Sequence, residues 1–198
     1  MLPAFEGPDP TAALDAGLSV FPLPPGGKVA ESGQLARATN DHDVLASWWR
    51  PGDNIGVSCR ASDIVGIDLD RHPGRPDGVA RFQALCEAHA GTRDSDGWPD
   101  TFTVATPTYG GLHLYFGAGG RPITSTSGGV SALGPGIDTR GPGHRTGGYL
   151  VGPGSLTAVG WYTIVNPAPI ADLPAWLLEL LLYGRRLPAP GNRRKQLA

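Results

Sequence analysis

Apolar and polar positions alternate over several short stretches of this chain, and helical spacing is the exception. Val65, Ile67 and Leu69 alternate with Gly66, Asp68 and Asp70, and Leu112, Leu114 and Phe116 alternate with His113 and Tyr115. Ile137 and Thr139 alternate in the same way with Asp138 and Arg140. A period of two predicts strands over Ile64–Asp70, Leu112–Phe116 and Ile137–Arg140. Short apolar runs between proline and glycine clusters predict more strands at Leu18–Leu23, Ile55–Ser58, Thr101–Ala105, Tyr149–Val151 and Trp161–Ile164. Four segments read as helices. Asp9–Gly17 is helix-friendly with a glycine stop, and Asp41–Trp49 spaces Val44, Leu45, Trp48 and Trp49 before Pro51. Val79–Ala90 buries Val79, Phe82, Leu85 and Cys86, while Pro174–Tyr183 starts on a proline whose missing N–H costs nothing in a first turn. Helices alternate with strands early and strands dominate later, which is an α+β pattern of an N-terminal αβ unit followed by a mostly antiparallel sheet. Ile123–Val130, a run of Ser, Thr and Gly, reads as a mobile loop.

Composition sharpens this reading. Glycine and proline supply 30 and 20 of 198 residues, near the level of low-complexity chains, yet 40% apolar content is enough for a core. Both residues sort into turns between short strands and into the approaches to Asp68, His113 and Asp138. The formal charge of −2 excludes a polycation that binds phosphates without regard to sequence. That charge is unevenly spread. Residues 184–198 carry five positive charges and no acid, so the rest of the chain has an excess of seven negative charges. Residues 1–183 therefore read as the folded unit and 184–198 as a basic linker or tail leading to a further C-terminal region. A template-binding arm is the other reading of that tail. No apolar run is long enough to span a membrane, and the N-terminus lacks a secretory pattern. Two cysteines make no disulfide framework, so a cytoplasmic location is expected.

Three strands carry polar residues on one face. Asp68 and Asp70 share the face opposite Val65, Ile67 and Leu69, with Cα atoms about 6.6 Å apart at strand rise. Neighbouring carboxylates repel each other unless a cation lies between them, and hard oxygen donors suit Mg²⁺. His113 follows Gly110 and Gly111, which let backbone approach a ligand closely. Asp138 and Arg140 share a third face and offer a carboxylate beside a phosphate-binding guanidinium. Solvated strand ends, a surface histidine and an internal Asp–Arg ion pair are the plain readings of the same features. Taken together, they form a metal-plus-phosphate set. Cys86 and His89 lack a second ligand pair and read as core and surface residues. His72 reads as a loop residue, Trp48 and Trp49 as core, and His144 and Arg145 as turn residues within reach of a template.

These motifs resemble the bifunctional primase–polymerase (Prim-Pol) domains of the archaeo-eukaryotic primase superfamily, found in plasmids, phages and integrated elements. GIDLD matches the family's acidic pair, YGGLHLYF its glycine-rich turn and histidine strand, and GIDTRG its later acidic strand. The flanks FPLPPGGK, WWRPGDNIGVS and GGYLVGPGS are similar too, and the resemblance covers about residues 10–180. It implies an RRM-like palm of mostly antiparallel strands packed with the smaller N-terminal αβ unit, the active site lying in the cleft between them. It implies DNA primase and DNA polymerase activity: template-directed nucleotidyl transfer that makes primers and extends DNA from (d)NTPs. Asp68, Asp70 and Asp138 would bind two divalent ions, Mg²⁺ or Mn²⁺, and His113 would steady the incoming nucleotide. Lys28 and Arg140 would add phosphate contacts, as would Gly110 and Gly111. A serine common in this part of the family has no counterpart here. Tyr109-Gly110-Gly111 offers no hydroxyl beyond Tyr109, so triphosphate contacts there would rest on backbone N–H groups. Two cysteines without C-x₂-C build no zinc stem, so no zinc is expected. Implied partners are a single-stranded DNA template, a primer terminus and a helicase domain or subunit. Two alternatives use the same residues: a non-catalytic nucleic-acid-binding module on this fold, and a metal-dependent phosphodiesterase with His113 as its base.

Overall fold

The computed structural model describes residues 7–90, 97–145 and 147–184. The chain begins with α1 (Thr11–Asp15), β1 (Val20–Leu23), a 3₁₀ turn (Gln34–Arg37), α2 (His42–Ala46) and β2 (Asn54–Ser58). Next come β3 (Ile64–Leu69), α3 (Gly78–His89), β4 (Thr103–Ala105) and β5 (Leu112–Gly117). Short strands follow: β6 (Val130–Ser131), β7 (Gly134–Pro135), β8 (Ile137–Arg140), β9 (Tyr149–Val151), β10 (Leu156–Thr157) and β11 (Gly160–Trp161). The last elements are β12 (Thr163–Asn166), β13 (Ala171–Asp172) and α4 (Ala175–Tyr183).

Two sheets carry the architecture. The larger runs β12-β4-β5-β3-β8 with every neighbour antiparallel, and β13 joins β5 in parallel. The smaller is antiparallel β1-β2-β9. Period two divides the larger sheet's side chains between two cores. Val65, Ile67, Leu69, Leu114, Phe116 and Ile137 face Phe82, Leu85 and Cys86 of α3 and Trp176, Leu177 and Leu180 of α4. The other face contributes Ile64, Val104 and Tyr115 to a core shared with Val20, Phe21, Ile55, Val57 and Leu150 of the smaller sheet. Ala13 and Leu14 of α1 and Leu45 of α2 complete that second core. The α+β expectation thus holds, with α3 and α4 confined to one face of the main sheet.

Several boundaries differ from the sequence reading, each for a local reason. The second helix starts one residue after Asp41, whose carboxylate caps it by accepting the N–H groups of Asp43 and Val44 at 2.9 and 3.1 Å, and it ends at Ala46, three residues before Trp49. Trp49 is buried beyond its end, and the Arg37 guanidinium lies 4.7 Å over the Trp48 ring. The stretch 161–164 is two strands, β11 and β12, broken at Tyr162. Ile123–Val130 is irregular, but it is stitched to β8: Thr126 and Thr139 exchange hydrogen bonds, and Ser125 Oγ accepts the Gly141 N–H at 3.1 Å. The expected free loop is therefore an anchored one. Of the expected tail, 184–198, residues 185–198 lie outside the described residues. Among those residues, no helix is long and apolar enough to cross a membrane.

One contact seats the smaller sheet on the larger, and a second anchors the loop after β1. Gly66, in the middle of β3, lies under Leu150 of β9 so closely that a Cβ there would fall inside the leucine side chain. Buried Asn54 donates to the carbonyls of Gly27 at 2.9 Å and Leu156 at 2.8 Å, and accepts the Leu156 N–H at 2.8 Å. One amide thus ties the loop after β1 to the β10–β11 hairpin. Gly66→Ala is expected to destabilise the fold by about 1–3 kcal/mol, the usual cost of overpacking. Urea denaturation checks this, and the lost midpoint should be partly regained by adding Leu150→Ala to the same chain.

Candidate active site

Directly opposed residues of antiparallel strands point to the same face. β3 places Asp68 opposite His113 of β5 and, on its other side, opposite Asp138 of β8. His113, Asp68 and Asp138 therefore form one row across three strands, on the face turned toward β1-β2-β9. The neighbouring row is Tyr115, Gly66 and Arg140. Because Gly66 has no side chain, Arg140 can lean along the sheet toward both carboxylates. Its Nη2 lies 3.6 Å from Asp68 Oδ2 and 3.4 Å from Asp138 Oδ2. His113 Nε2 lies 3.4 Å from Asp68 Oδ1, while its buried Nδ1 has no hydrogen-bond partner among the described residues.

Asp70 lies one step past the end of β3. Its N–H donates to Gly136 O at 2.9 Å and its carbonyl accepts the Gly78 N–H at 2.8 Å, so the backbone is clamped while the carboxylate stays half exposed. His72 Nε2 is 3.9 Å away. The Asp138 carboxylate is buried and accepts the Gly129 N–H at 2.9 Å, which ties the 124–129 loop to the row.

The two acids of the D-x-D pair are held in opposite senses. Burial pushes the Asp68 carboxyl up, but His113, Arg140 and Lys28 outweigh it and leave the group below the usual carboxylate range. Burial also raises Asp70, and there the negative charges of Asp68 and Asp138 add to the rise against the weaker pull of His72 and His113.

A cavity of about 620 Å³ opens between the sheets, within the usual size of small-molecule sites. Asp68, Asp70, His113 and Arg140 line one side. Lys28 faces them from the loop after β1, where Asn54 holds the Gly27 carbonyl and the Tyr149 hydroxyl donates to Lys28 O at 3.1 Å. Its Nζ lies 5.7 Å from the centre of the Tyr162 ring, which is itself 5.6 Å from the His113 ring. Gly110 and Gly111 lie behind this wall. A Cβ at Gly111 would meet Thr106 Oγ1 at 2.7 Å and Leu69 O at 2.9 Å, so this glycine is required by the close approach of its own turn to β3.

Sequence reasoning missed Tyr162, because one strand drawn through 161–164 gave its ring no special place. It also passed over Arg71 and His72, which line the cavity beside Asp70. Cys86 and His89 do not form a metal pair: burial pushes the Cys86 thiol up to about 11, and His89 stacks on Trp176 at 4.8 Å. His144 lies at a separate depression with Arg60 and Arg121.

Three carboxylates supply hard oxygen donors of the kind a divalent ion takes. As the side chains stand, the described residues contain no group of three or more His, Cys, Asp or Glu gathered to hold an ion. The Arg140 guanidinium takes the place between Asp68 and Asp138 instead.

Residues 10–176 match the family model of the N-terminal domain of bifunctional DNA primase/polymerases. The match spans every residue of the row and Lys28, and the chain belongs to this family. No curated protein matches the chain. Membership sets the class of chemistry as primase–polymerase nucleotidyl transfer, with DNA and nucleotides as substrates.

The opposed shifts of the acid pair have opposite consequences for stability. Asp68, held low, contributes stability that is present above its unfolded pKa of about 3.9 and lost as pH falls through its folded value. Asp70, held high, costs stability once ionised, and that cost disappears as pH falls back through the raised value toward about 3.9. In urea titrations at pH 7, Asp68→Asn is therefore expected to be less stable than wild type and Asp70→Asn more stable. Both differences should shrink in acid.

Proposed function

We propose that the chain joins nucleotides on a DNA template, making primers and extending them from (d)NTPs. The observation that carries this reading is the in-register row His113–Asp68–Asp138 facing Lys28 across a nucleotide-sized cavity. The reaction needs the hydroxyl oxygen of an acceptor to form a bond to the α-phosphorus of a nucleoside triphosphate while the bond to pyrophosphate breaks. Most of the work is positioning and charge stabilisation.

Each residue has a part in that reading. Asp68, Asp70 and Asp138 are the residues that would hold two Mg²⁺ or Mn²⁺ ions. Bound there, the ions would supply charge neutralisation at the transferred phosphoryl group and lower the pKa of the attacking hydroxyl. Lys28 and Arg140 bind phosphate oxygens from opposite walls, Arg140 turning from the carboxylates toward the triphosphate. His113 holds Asp68 in its ionised form and presents its ring, with that of Tyr162, to the bound nucleotide. Gly110 and Gly111 let the β4–β5 turn pass close to β3; the Gly111 N–H is donated to Thr108 O at 3.0 Å, so a triphosphate contact from this turn would fall to Gly110. The larger sheet with α3 and α4 serves as an RRM-like palm, and the smaller sheet is the wall that closes over it. Priming differs from extension only in that the first acceptor is itself a nucleotide. Replication of a plasmid, phage or integrated element in the cytoplasm, alongside a helicase, is the setting this activity fits.

The test supplies single-stranded template, labelled dNTP or NTP and Mg²⁺ or Mn²⁺, with and without primer. Wild type is expected to add nucleotides, and Asp68→Ala with Asp70→Ala to lower the rate about 10³-fold, matching the loss of several kcal/mol of charge stabilisation. Lys28→Ala should raise the nucleotide KM about ten-fold, the loss expected for a hydrogen bond to a charged group. Unchanged product from the double variant, or none from wild type, would overturn the reading. Release of nucleotides from the DNA in place of addition would favour a phosphodiesterase.

A further inference from the structure

Two residues other than glycine adopt positive φ among the described residues, Asp63 at 49° and Tyr109 at 49°. Asp63 has a local reason: its carboxylate accepts the Gly120 N–H at 3.0 Å, and Asp tolerates the left-handed region. Tyr109 has none of that kind. Its side chain is 66% exposed, and glycine or asparagine would make the same turn with less strain. What tyrosine adds at this position is its ring.

That ring lies against a residue of the cavity wall, His72. It meets the His72 ring edge-on, with centroids 6.2 Å apart and planes at 71°. Arg71 lies over the same turn, with Nη1 3.4 Å from where a Cβ on Gly110 would be and Nε 3.0 Å from Asp77 Oδ2. Arg71, His72 and the neighbouring Thr108 all line the cavity that holds Asp68 and Asp70. A flat exposed ring, a guanidinium beside it and a hydroxyl-lined edge match a nucleic-acid base and its phosphate. An apolar protein partner would call for an apolar surround, which Arg71, His72, Thr106 and Thr108 do not provide. We infer that Tyr109, set by His72 and flanked by Arg71, is the platform on which an unpaired base of a single-stranded DNA template stacks as the strand enters the cleft. This rests on the nucleotidyl-transfer reading and adds to it where the strand lies.

Stacking on an aromatic face depends on the ring and tolerates any base. The test measures binding of fluorescent single-stranded oligodeoxynucleotides, oligo-dT and a mixed sequence, to the full chain at one fixed salt concentration. Tyr109→Ala is expected to weaken both about ten-fold, and Tyr109→Phe to stay within about two-fold of wild type. Tyr183→Ala, an equally exposed tyrosine at the end of α4, should bind as wild type does. Nucleoside triphosphate affinity should be unchanged in Tyr109→Ala, and Tyr109→Gly should melt no lower than wild type, since it relieves the strained φ. Wild-type affinity in Tyr109→Ala would overturn the platform and leave the catalytic reading standing. An equal loss in Tyr109→Phe would also overturn it, by assigning the role to the hydroxyl. A wild-type chain that binds no single strand would overturn both.

Discussion

A buried carboxylate on an interior strand is costly, and the fold is arranged around that cost. Asp68 is paired in register with a histidine on one side and another aspartate on the other, and its side chain is only 15% exposed. A buried charge persists when opposite charge and hydrogen bonds compensate for lost hydration. His113 meets one oxygen and Arg140 the other. Arg140 can reach because Gly66 leaves the position beside it empty, and Leu150 then packs down onto the same glycine. One residue without a side chain thus serves both the charge balance and the seating of the second sheet.

From that seating the cleft follows. The apolar face of the main sheet is spent on α3 and α4, so its polar row must face the smaller sheet, and the row would be sealed if the two met along their whole length. They part where Asn54 and Tyr149 hold the loop that carries Lys28 away from the row, leaving a cavity with acids on one wall and a base on the other. The backbone clamp on Asp70 fixes a third carboxylate at its edge without burying it. Acids on one wall and a lysine on the other are the arrangement that the proposed binding of a metal-bound phosphate would use.

Much of this was legible in alternation. GIDLD, HLYF and IDTR each put polar residues on one face against apolar ones, which marked the three strands as carriers of one metal-plus-phosphate set. Their mutual register was not legible, because pairing depends on turns and bulges between residues far apart in sequence. Ile123–Val130 looks free by composition, yet it is bound to β8 through Ser and Thr side chains that act equally well in loops and on solvent. Tyr162 escaped notice because a break between β11 and β12 leaves no mark in hydropathy. Tyr109 was noted only for a hydroxyl, whereas its distinguishing feature is a backbone angle that no sequence pattern displays.

In the proposed function the Asp68–Asp138 row takes up a divalent ion where Arg140 now lies between the two carboxylates. Electron paramagnetic resonance of free Mn²⁺ during titration into the full chain tests this most directly. Wild type is expected to take up Mn²⁺ near neutral pH, Asp68→Asn to lose most of that uptake, and Arg140→Gln to bind the ion more tightly because its competitor is gone. Equal uptake by wild type and Asp68→Asn, or weaker uptake by Arg140→Gln, would contradict the account.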